Sequence, residues 1–403
     1  MKHLVVIGLV IPEPKSTAAG TRMLQLLNLF RNADYKITFL TSATNTEFSE
    51  NLEVKKINLN DESFDILIKE LQPDIVLFDR FVTEEQFGWR ITENCPQALK
   101  ILDTEDLHFL REARKTAWKQ NRETTDDDVL NDIFKREIAA ILRSDLSLII
   151  SEFEYYLLTE KFRLNPELLF YIPFLFDGKI PETKTFNDRK NYVSIGNFLH
   201  EPNWQTVLQL KKIWPKIHAK NPGSELHVYG AYPSEKVFQL DNKKEGFLIK
   251  GRAENAEEIM KNYRVLLAPI PFGAGLKGKL FESMKFGLPN ITSSIGAEAM
   301  QEKGIWNGFI EDDISQFCEK AVELYRDENL WETSQKNGYE ILKNKFGEPY
   351  FSENLLKKIS ETGKNLHQHR NRNYLGQILQ HHTLNATKYM SRWIEEKNRN
   401  TSS

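Results

Sequence analysis

Cysteine is scarce, with Cys95 and Cys318 the two in 403 residues. Two thiols exclude a disulfide framework and a multi-cysteine metal site. Long apolar runs are missing, and none approaches the ~20 residues of a membrane span. Net charge is close to nil at −3, so the chain as a whole gives no signal for nucleic acid. No 20–50-residue sequence repeat is visible. The apolar opening Leu4–Ile11 is short and β-branched, and it ends at Pro12-Glu13-Pro14. It reads as a buried first strand rather than a signal peptide. A soluble, cytoplasmic protein is the expectation.

What is present is ordinary globular material, with 40% apolar and 28% charged residues. Single hydrophobic cores rarely grow past ~300 residues, so two domains are expected. Apolar runs at 2–9, 35–41, 74–78, 99–103 and 145–151 predict buried parallel strands. Helices are expected near 18–30, 62–71 and 153–162, and through much of the polar stretch 106–143. After a polar segment at 176–190 the pattern restarts. Strands are predicted at 192–195, 225–229, 247–250, 265–268 and 290–292, with helices between them. This alternation predicts an α/β protein of two doubly wound, Rossmann-like domains. The expected division is 1–176, 190–347 and a helical C-terminal part, 348–403. That tail carries Lys364, Arg370, Arg372, Lys388, Arg392, Lys397 and Arg399, with four of the nine histidines (His367, His369, His381, His382).

The richest stretch runs from a strand into Pro271-Phe272-Gly273-Ala274-Gly275-Leu276-Lys277-Gly278-Lys279-Leu280-Phe281-Glu282. Glycines let backbone approach a ligand, and the free N–H groups of a helix's first turn favour an anion. Two lysines add positive charge there. A phosphate or diphosphate site follows from this pattern; a glycine loop made for tight packing, with solvated lysines, is the plainer alternative. Gly273, Gly275 and Gly278 satisfy G-x-G-x-x-G, but the next strand ends in Thr292-Ser293-Ser294. A dinucleotide site would place an acid there, about 20 residues on. The P-loop pattern fails at Leu280, where Ser or Thr should hold magnesium.

A third pattern covers more residues. Gly273–Lys279, Phe281-Glu282-Ser283-Met284, Gly287-Leu288-Pro289 and Ser294–Glu298 together resemble the donor site of family-4-type, GT-B-fold retaining glycosyltransferases. The closest likeness is to the subgroup with a G-x-G-x-K-x-K loop. Gly196-Asn197-Phe198, His200–Asn203 and Leu226–Gly230 continue it, so the likeness spans most of 192–300. In the first half it is looser, resting on Ala18-Ala19-Gly20 and Asp103–His108.

The resemblance implies roles. The acid at Glu282 would hold the ribose hydroxyls. A second glutamate common in relatives is Ala274 here, which removes direct carboxylate help at the donor sugar. Where relatives often carry Arg and Lys, this chain has Asn197 and Asn203, so Lys277 and Lys279 are the expected diphosphate partners. They stand two apart on a helix start and need not face the same way. Arg252 is a weaker donor candidate. Gly20, placed in a loop before a helix, would bring backbone to the diphosphate, with Arg22 nearby. His108 matches a histidine that contacts the donor sugar in relatives. Asp103 and Asp106 are acceptor-contact or structural candidates, and His108, Asp106 and Lys279 form the expected catalytic set. Asp79-Arg80, at another strand end, would either line the cleft or form a buried ion pair that holds the loop, the second being preferred. Asp126-Asp127-Asp128 contains D-x-D but lies in a polar helical region, and a helix-start acid cluster is the expectation. No metal and no cofactor are expected, the nucleotide-sugar being a substrate.

The implied activity is metal-independent hexosyl transfer to an acceptor, a glycan or lipid-linked glycan, with retention. Electrostatic stabilisation of the departing diphosphate would drive it. A non-catalytic nucleotide-sugar-binding or scaffold protein of the same fold is the alternative, favoured by Ala274, Asn197 and Asn203. An epimerase or a phosphorylase on the same plan fits less well. The basic tail suits packing on the first domain up to about residue 365. Beyond that, packing and peripheral contact with an anionic membrane both stay open. Nucleic acid is not expected, because the tail lacks interleaved aromatics.

Overall fold

The structure, a computed structural model, describes residues 1–13, 18–43 and 52–401. Pro14, the side chain of His382 and the polar end at 402–403 lie outside the described residues. Two parallel sheets dominate. The first comprises β1 (His3–Gly8), β2 (Lys36–Thr41), β3 (Glu53–Lys56), β4 (Ile75–Asp79), β5 (Leu99–Asp103), β6 (Leu146–Ile149) and β7 (Leu169–Tyr171). Their spatial order is β3-β2-β1-β4-β5-β6-β7. The second comprises β8 (Lys190–Asn197), β9 (Leu226–Ala231), β10 (Phe247–Gly251), β11 (Tyr263–Ala268), β12 (Asn290–Thr292) and β13 (Gly308–Ile310), in the order β10-β9-β8-β11-β12-β13. Each sheet is doubly wound, with its topological switch between the first strand and the strand that returns beside it.

The apolar runs explain the centre of the first sheet. Every residue of β1, β4 and β5 is buried, as strands covered on both faces require. The Ala18–Asn32 helix lays Met23, Leu26, Leu27 and Phe30 on that sheet at helical spacing. Full burial of such a side chain contributes ~1.5–3 kcal/mol, and Phe30→Ala would cost ~3–5 kcal/mol. In the second lobe Trp214 and Trp331 fill the core, and each indole N–H reaches a backbone carbonyl, of Glu245 and Arg264 respectively.

Edge strands depart from expectation. β3 and β13 have no long apolar run, β7 lies in the apolar stretch Leu168–Ile172, and none of the three is among the expected strands. The stretch 106–143 breaks into helices His108–Lys119, Asp126–Val129 and Asp132–Arg143. The segment expected as one helix at 153–162 is α-helical over Glu152–Tyr156 and π-helical over Leu157–Lys161.

The C-terminal part belongs physically to the first lobe. Phe176 N–H donates to the Phe346 carbonyl (2.7 Å), and Glu348 N–H donates to that of Phe176 (2.9 Å). The two chain crossings thus run side by side. Beyond them, Phe351, Leu355 and Ile359 of the Glu348–Lys364 helix pack in one cluster with Leu4 and Val6. The Tyr374–Thr401 helix then lies over the Arg80–Asn94 and Asp132–Arg143 helices. Its anchor is Arg90, 1% exposed, which bonds Asp65 (2.6 Å), Ser391 (3.1 Å) and Glu395. Arg370 pairs with Asp145 (2.7 Å) and Arg392 with Asp65 (3.0 Å). The tail beyond residue 365 therefore packs on the first lobe, and much of its positive charge is spent there. Among the described residues, no helix is long and apolar enough to cross a membrane.

Candidate functional site

Parallel strands end together. Asp79 pairs in register with Asp103, and in the other sheet Asn197 pairs with Ala231 and Ala268 with Thr292. The segments just past these ends face each other and enclose a cleft of about 580 Å³, within the usual range for ligand pockets. A crevice outside the carboxyl ends of the strands is where open α/β sheets bind ligands.

The second-lobe wall is the glycine-rich loop and the Gly278–Lys285 helix. Lys277 and Lys279 both reach the cleft, correcting the reservation that they need not face the same way. Neither is a solvated surface lysine. Lys277 Nζ donates to the carbonyls of Ala274 (3.2 Å) and Gly275 (2.6 Å), and Lys279 Nζ to Asn203 Oδ1 (2.8 Å). Burial pushes both ammonium groups down to about 8, opposed by Glu298 at Lys277 and by Glu282 at Lys279. Gly278 and Lys279 open the helix, so their N–H groups have no intrahelical acceptor. Burial raises Glu282 to about 7, against Lys285, the Thr21 hydroxyl and Lys279.

The glycines serve lobe packing as well. Gly275 has φ +61°, and a Cβ there would sit 2.7 Å from Asp106 Cβ. A Cβ on Gly278 would sit 2.7 Å from Ala18 Cβ. The Gly275 N–H donates to Glu154 Oε1 (2.8 Å). Gly275 as an amide donor to a diphosphate is therefore corrected: its N–H is already engaged by the first lobe. At Gly273 an added Cβ would make ordinary contact with Lys277, and the Gly273 carbonyl accepts from Arg114 (2.8 Å). One loop thus packs tightly against the first lobe and presents a helix N-terminus to the cleft.

The first-lobe wall is built from side chains. Asp106 is bonded by Arg111 and also faces His108. Burial works the other way, but Arg111, with His108 and His200, holds the Asp106 carboxyl well below the usual range. His108 Nδ1 lies 3.0 Å from the Asp106 carbonyl and 3.1 Å from Glu137 Oε1. Both are acceptors, so Nδ1 carries the proton and Nε2 is the ring's other polar atom. Glu137 is wholly buried on the Asp132–Arg143 helix and also accepts from Phe109 N–H (3.1 Å). Arg80 lies 3.5 Å from Asp79, and both line the cleft. The expected ion pair exists, and it faces the cleft too.

Other candidates are relocated. Gly20 sits in the first turn of the Ala18–Asn32 helix rather than in the loop before it, and is buried on the cleft wall. Arg22 does not line the cleft: its guanidinium is 1% exposed and pairs with wholly buried Asp103 (2.8 Å), so both hold the lobe together. Asn197 is on the wall, its Oδ1 accepting from Leu199 N–H (2.8 Å). Arg252 is half-exposed at the rim and lies 3.6 Å from Glu13 of the first lobe, which also accepts from Tyr232 OH (2.8 Å). Asp126-Asp127-Asp128 opens a short helix, closed by a Thr125/Asp128 capping box. Among the described residues, no three His, Cys, Asp or Glu side chains group as metal ligands.

Several residues of the site had no assigned role in the sequence. Glu154 is wholly buried, accepts from Leu107 N–H (3.0 Å) as well as Gly275, and is pushed up to about 8 by burial and Asp106. Arg114 grips Glu298 with two bonds (2.8 and 2.7 Å) across the lobes. His200 precedes the Glu201–Lys220 helix. Its surroundings, burial first and then Arg111, lower it to about 4. A chemistry-bearing residue directly after a strand was the signal available for His200 and Glu105; Glu154, Glu137, Arg111 and Arg114 lie within helices and carried none.

Residues 189–327 match the family model of glycosyl transferases, group 1. No curated protein matches the chain by sequence. Solved structures share its GT-B architecture. A Staphylococcus aureus TarM variant in complex with fondaparinux, α-GlcNAc-glycerol and UDP is 9% identical over 89% of this chain and 100% of its own (TM-score 0.69). The pneumococcal O-GlcNAc transferase GtfA with UDP and GlcNAc is 13% identical over 89% and 99% (TM-score 0.67). Anabaena HepE with UDP and glucose is 12% identical over 90% and 100% (TM-score 0.66).

Proposed function

We propose that this chain is a glycosyltransferase that moves a hexosyl unit from a nucleotide-sugar to an acceptor hydroxyl, with retention and without a metal. One observation carries the reading. Lys277, Lys279, Glu282 and a helix N-terminus converge on the cleft, inside the segment that matches group 1 glycosyl transferases. The glutamate suits the ribose hydroxyls, and the lysines and free N–H groups suit the diphosphate. As the bond from the anomeric carbon to the leaving oxygen breaks, its electron pair stays with the diphosphate. The cations are then best placed to stabilise the growing negative charge. The sugar passes through an oxocarbenium-like state. The acceptor oxygen bonds to the same face, and its proton passes to the departing phosphate oxygen. His108, held by Glu137 and backed by Asp106, orients the sugar on the opposite wall. The acceptor is a glycan or lipid-linked glycan, from the same resemblance.

UDP in the relatives named above makes UDP-sugars the first donors to test. Calorimetric titration with UDP-, GDP-, ADP- and dTDP-sugars, without added metal, should give micromolar binding of one donor. That binding should weaken by roughly 30-fold in Lys279→Ala and in Glu282→Ala. No binding of any donor would sink the reading.

A second reading concerns the tail. The outward face of the Tyr374–Thr401 helix exposes Tyr374, Ile378, Tyr389, Met390 and Trp393, as an interfacial helix would. Peripheral contact with an anionic membrane follows, at the cytoplasmic face. Flotation with anionic liposomes tests it: equal flotation after Trp393→Glu and Tyr389→Glu would count against the contact.

A further inference from the structure

We propose, resting on the transferase reading above, that Glu105 seats the acceptor: its carboxyl hydrogen-bonds a neutral hydroxyl of the incoming sugar or polyol. The observations are of three independent kinds. The first is backbone. Adjacent strands β4 and β5 end in register at Asp79 and Asp103. Past each end stands a long charged residue in the left-handed region, Arg80 with φ +69° and Glu105 with φ +62°. Glycine or asparagine would hold that conformation at less cost. Backbone strain of this sort persists where it aims a side chain, and both of these side chains line the cleft.

The second is hydrogen bonding. Most other acids of the cleft are held: Asp106 by Arg111, Glu154 Oε1 by two amides and Glu282 by Thr21, while Asp79 Oδ1, also without a hydrogen bond, lies 3.5 Å from Arg80. Glu105 Oε1 is shut from solvent and has no hydrogen-bond partner. A buried polar atom without a partner is costly, and a turn of the carboxyl toward the cleft that Glu105 lines lets a ligand hydroxyl satisfy it.

The third is charge. Burial, then Asp103, push the Glu105 carboxyl up to about 8, against Arg80 and Arg22 and with Asp79 adding to the rise. These are the groups that face it from β4, β5, the turn into the Arg80–Asn94 helix and the Ala18–Asn32 helix. At neutral pH it carries its proton, so it donates one hydrogen bond and accepts another, as a hydroxyl does. The arginines of this wall are paired, Arg80 with Asp79 and Arg111 with Asp106. The wall therefore complements an uncharged, hydroxyl-rich group better than a phosphate.

The test uses the donor found by titration and four acceptors: methyl α-D-glucoside, methyl N-acetyl-α-D-glucosaminide, glycerol and glycerol 3-phosphate. Wild type should transfer to at least one of the three neutral compounds. Glu105→Gln keeps both hydrogen-bonding capacities and should hold the acceptor KM within about threefold. Glu105→Gly should raise it at least about tenfold. In that variant the donor Kd should stay within about twofold, and Tm should hold or rise as glycine relieves the backbone. Transfer to glycerol 3-phosphate alone, or to none of the four while donor binds, would overturn the proposal. So would a weakened donor Kd in Glu105→Gly, or a lowered Tm with an unchanged acceptor KM. Absence of donor binding in the wild type would instead sink the transferase reading itself.

Discussion

The two walls of the cleft are made in opposite ways. On the second-lobe wall the charged groups nearest the helix terminus, Lys277, Lys279 and Glu282, come from one contiguous run of chain, Gly273 to Glu282, with Asn197, His200, Asn203 and Arg252 set around it by other strand ends. The first-lobe wall is assembled from residues far apart in sequence, Asp79 and Arg80, Glu105 to His108, and Arg111, braced from behind by Glu137 and Glu154. A diphosphate and a ribose recur in UDP-, GDP- and ADP-sugars alike, so one short local motif can serve them. An acceptor varies, and strand-end loops can be changed one at a time to meet it. The contiguous wall should therefore govern donor affinity, and the dispersed wall should govern turnover and acceptor choice.

That division can be broken by experiment. The largest effect is expected at His108. His108→Ala should lower kcat by about 100-fold, as the loss of a positioned polar group does, while calorimetric donor Kd moves less than about twofold. Equal losses in both would dissolve the distinction between the walls. Next, Lys279→Ala or Glu282→Ala should weaken donor binding by roughly 30-fold, about 2 kcal/mol for a charge-assisted hydrogen bond. A change confined to kcat would move that residue to the other wall.

Arg114→Ala removes a bidentate tie between the walls and should shift the closed-to-open balance by roughly tenfold. Small-angle scattering without donor should then show a larger radius of gyration; an unchanged radius would mean that the remaining contacts close the cleft unaided.

The smallest effect is in pH. Lys279 is charged below about 8 and Glu282 is ionised above about 7. Donor affinity should peak between those values and fall roughly threefold from about pH 7.5 to about pH 8.5 as the ammonium is lost. In Lys279→Arg the alkaline fall should shrink to the share left by Lys277, since guanidinium keeps its charge. An identical profile in that variant would show that Lys279 is not the group responsible.

Sequence reading reached the centre of each sheet and the β10 edge, and missed the edge strands β3, β7 and β13; for β3 the physical reason is plain. β1, β4 and β5 are buried on both faces and need continuous apolar residues. β3, with the sequence Glu53-Val54-Lys55-Lys56, is an exposed edge whose residues obey no such demand. The same contrast holds at the site. Lys277 and Lys279 stand out by their place at a helix start after a glycine loop, and Glu282 by the family resemblance. Glu154 and Glu137 did not, because an inward-facing helix glutamate has no local signature; its function depends on Gly275 and His108, which lie 121 and 29 residues away. Gly20 and Arg22 show the limit even near a recognised motif. A shift of less than one helical turn separates a cleft-lining position from a buried ion pair.

The return of the chain to its starting lobe also sets an order of events during synthesis. The second sheet is continuous in sequence and can close as soon as residues 190–345 are available. The first lobe cannot. Its core wants Phe351, Leu355 and Ile359, and Arg90 has no full set of partners until Ser391 and Glu395 arrive. The lobe made first on the ribosome is therefore the lobe finished last, inverting the usual N-terminal-first sequence. Until then Arg90 and the face that receives the last helix stay open to water and to other chains. A nonsense mutation just ahead of Ser391 would damage the lobe that is made first.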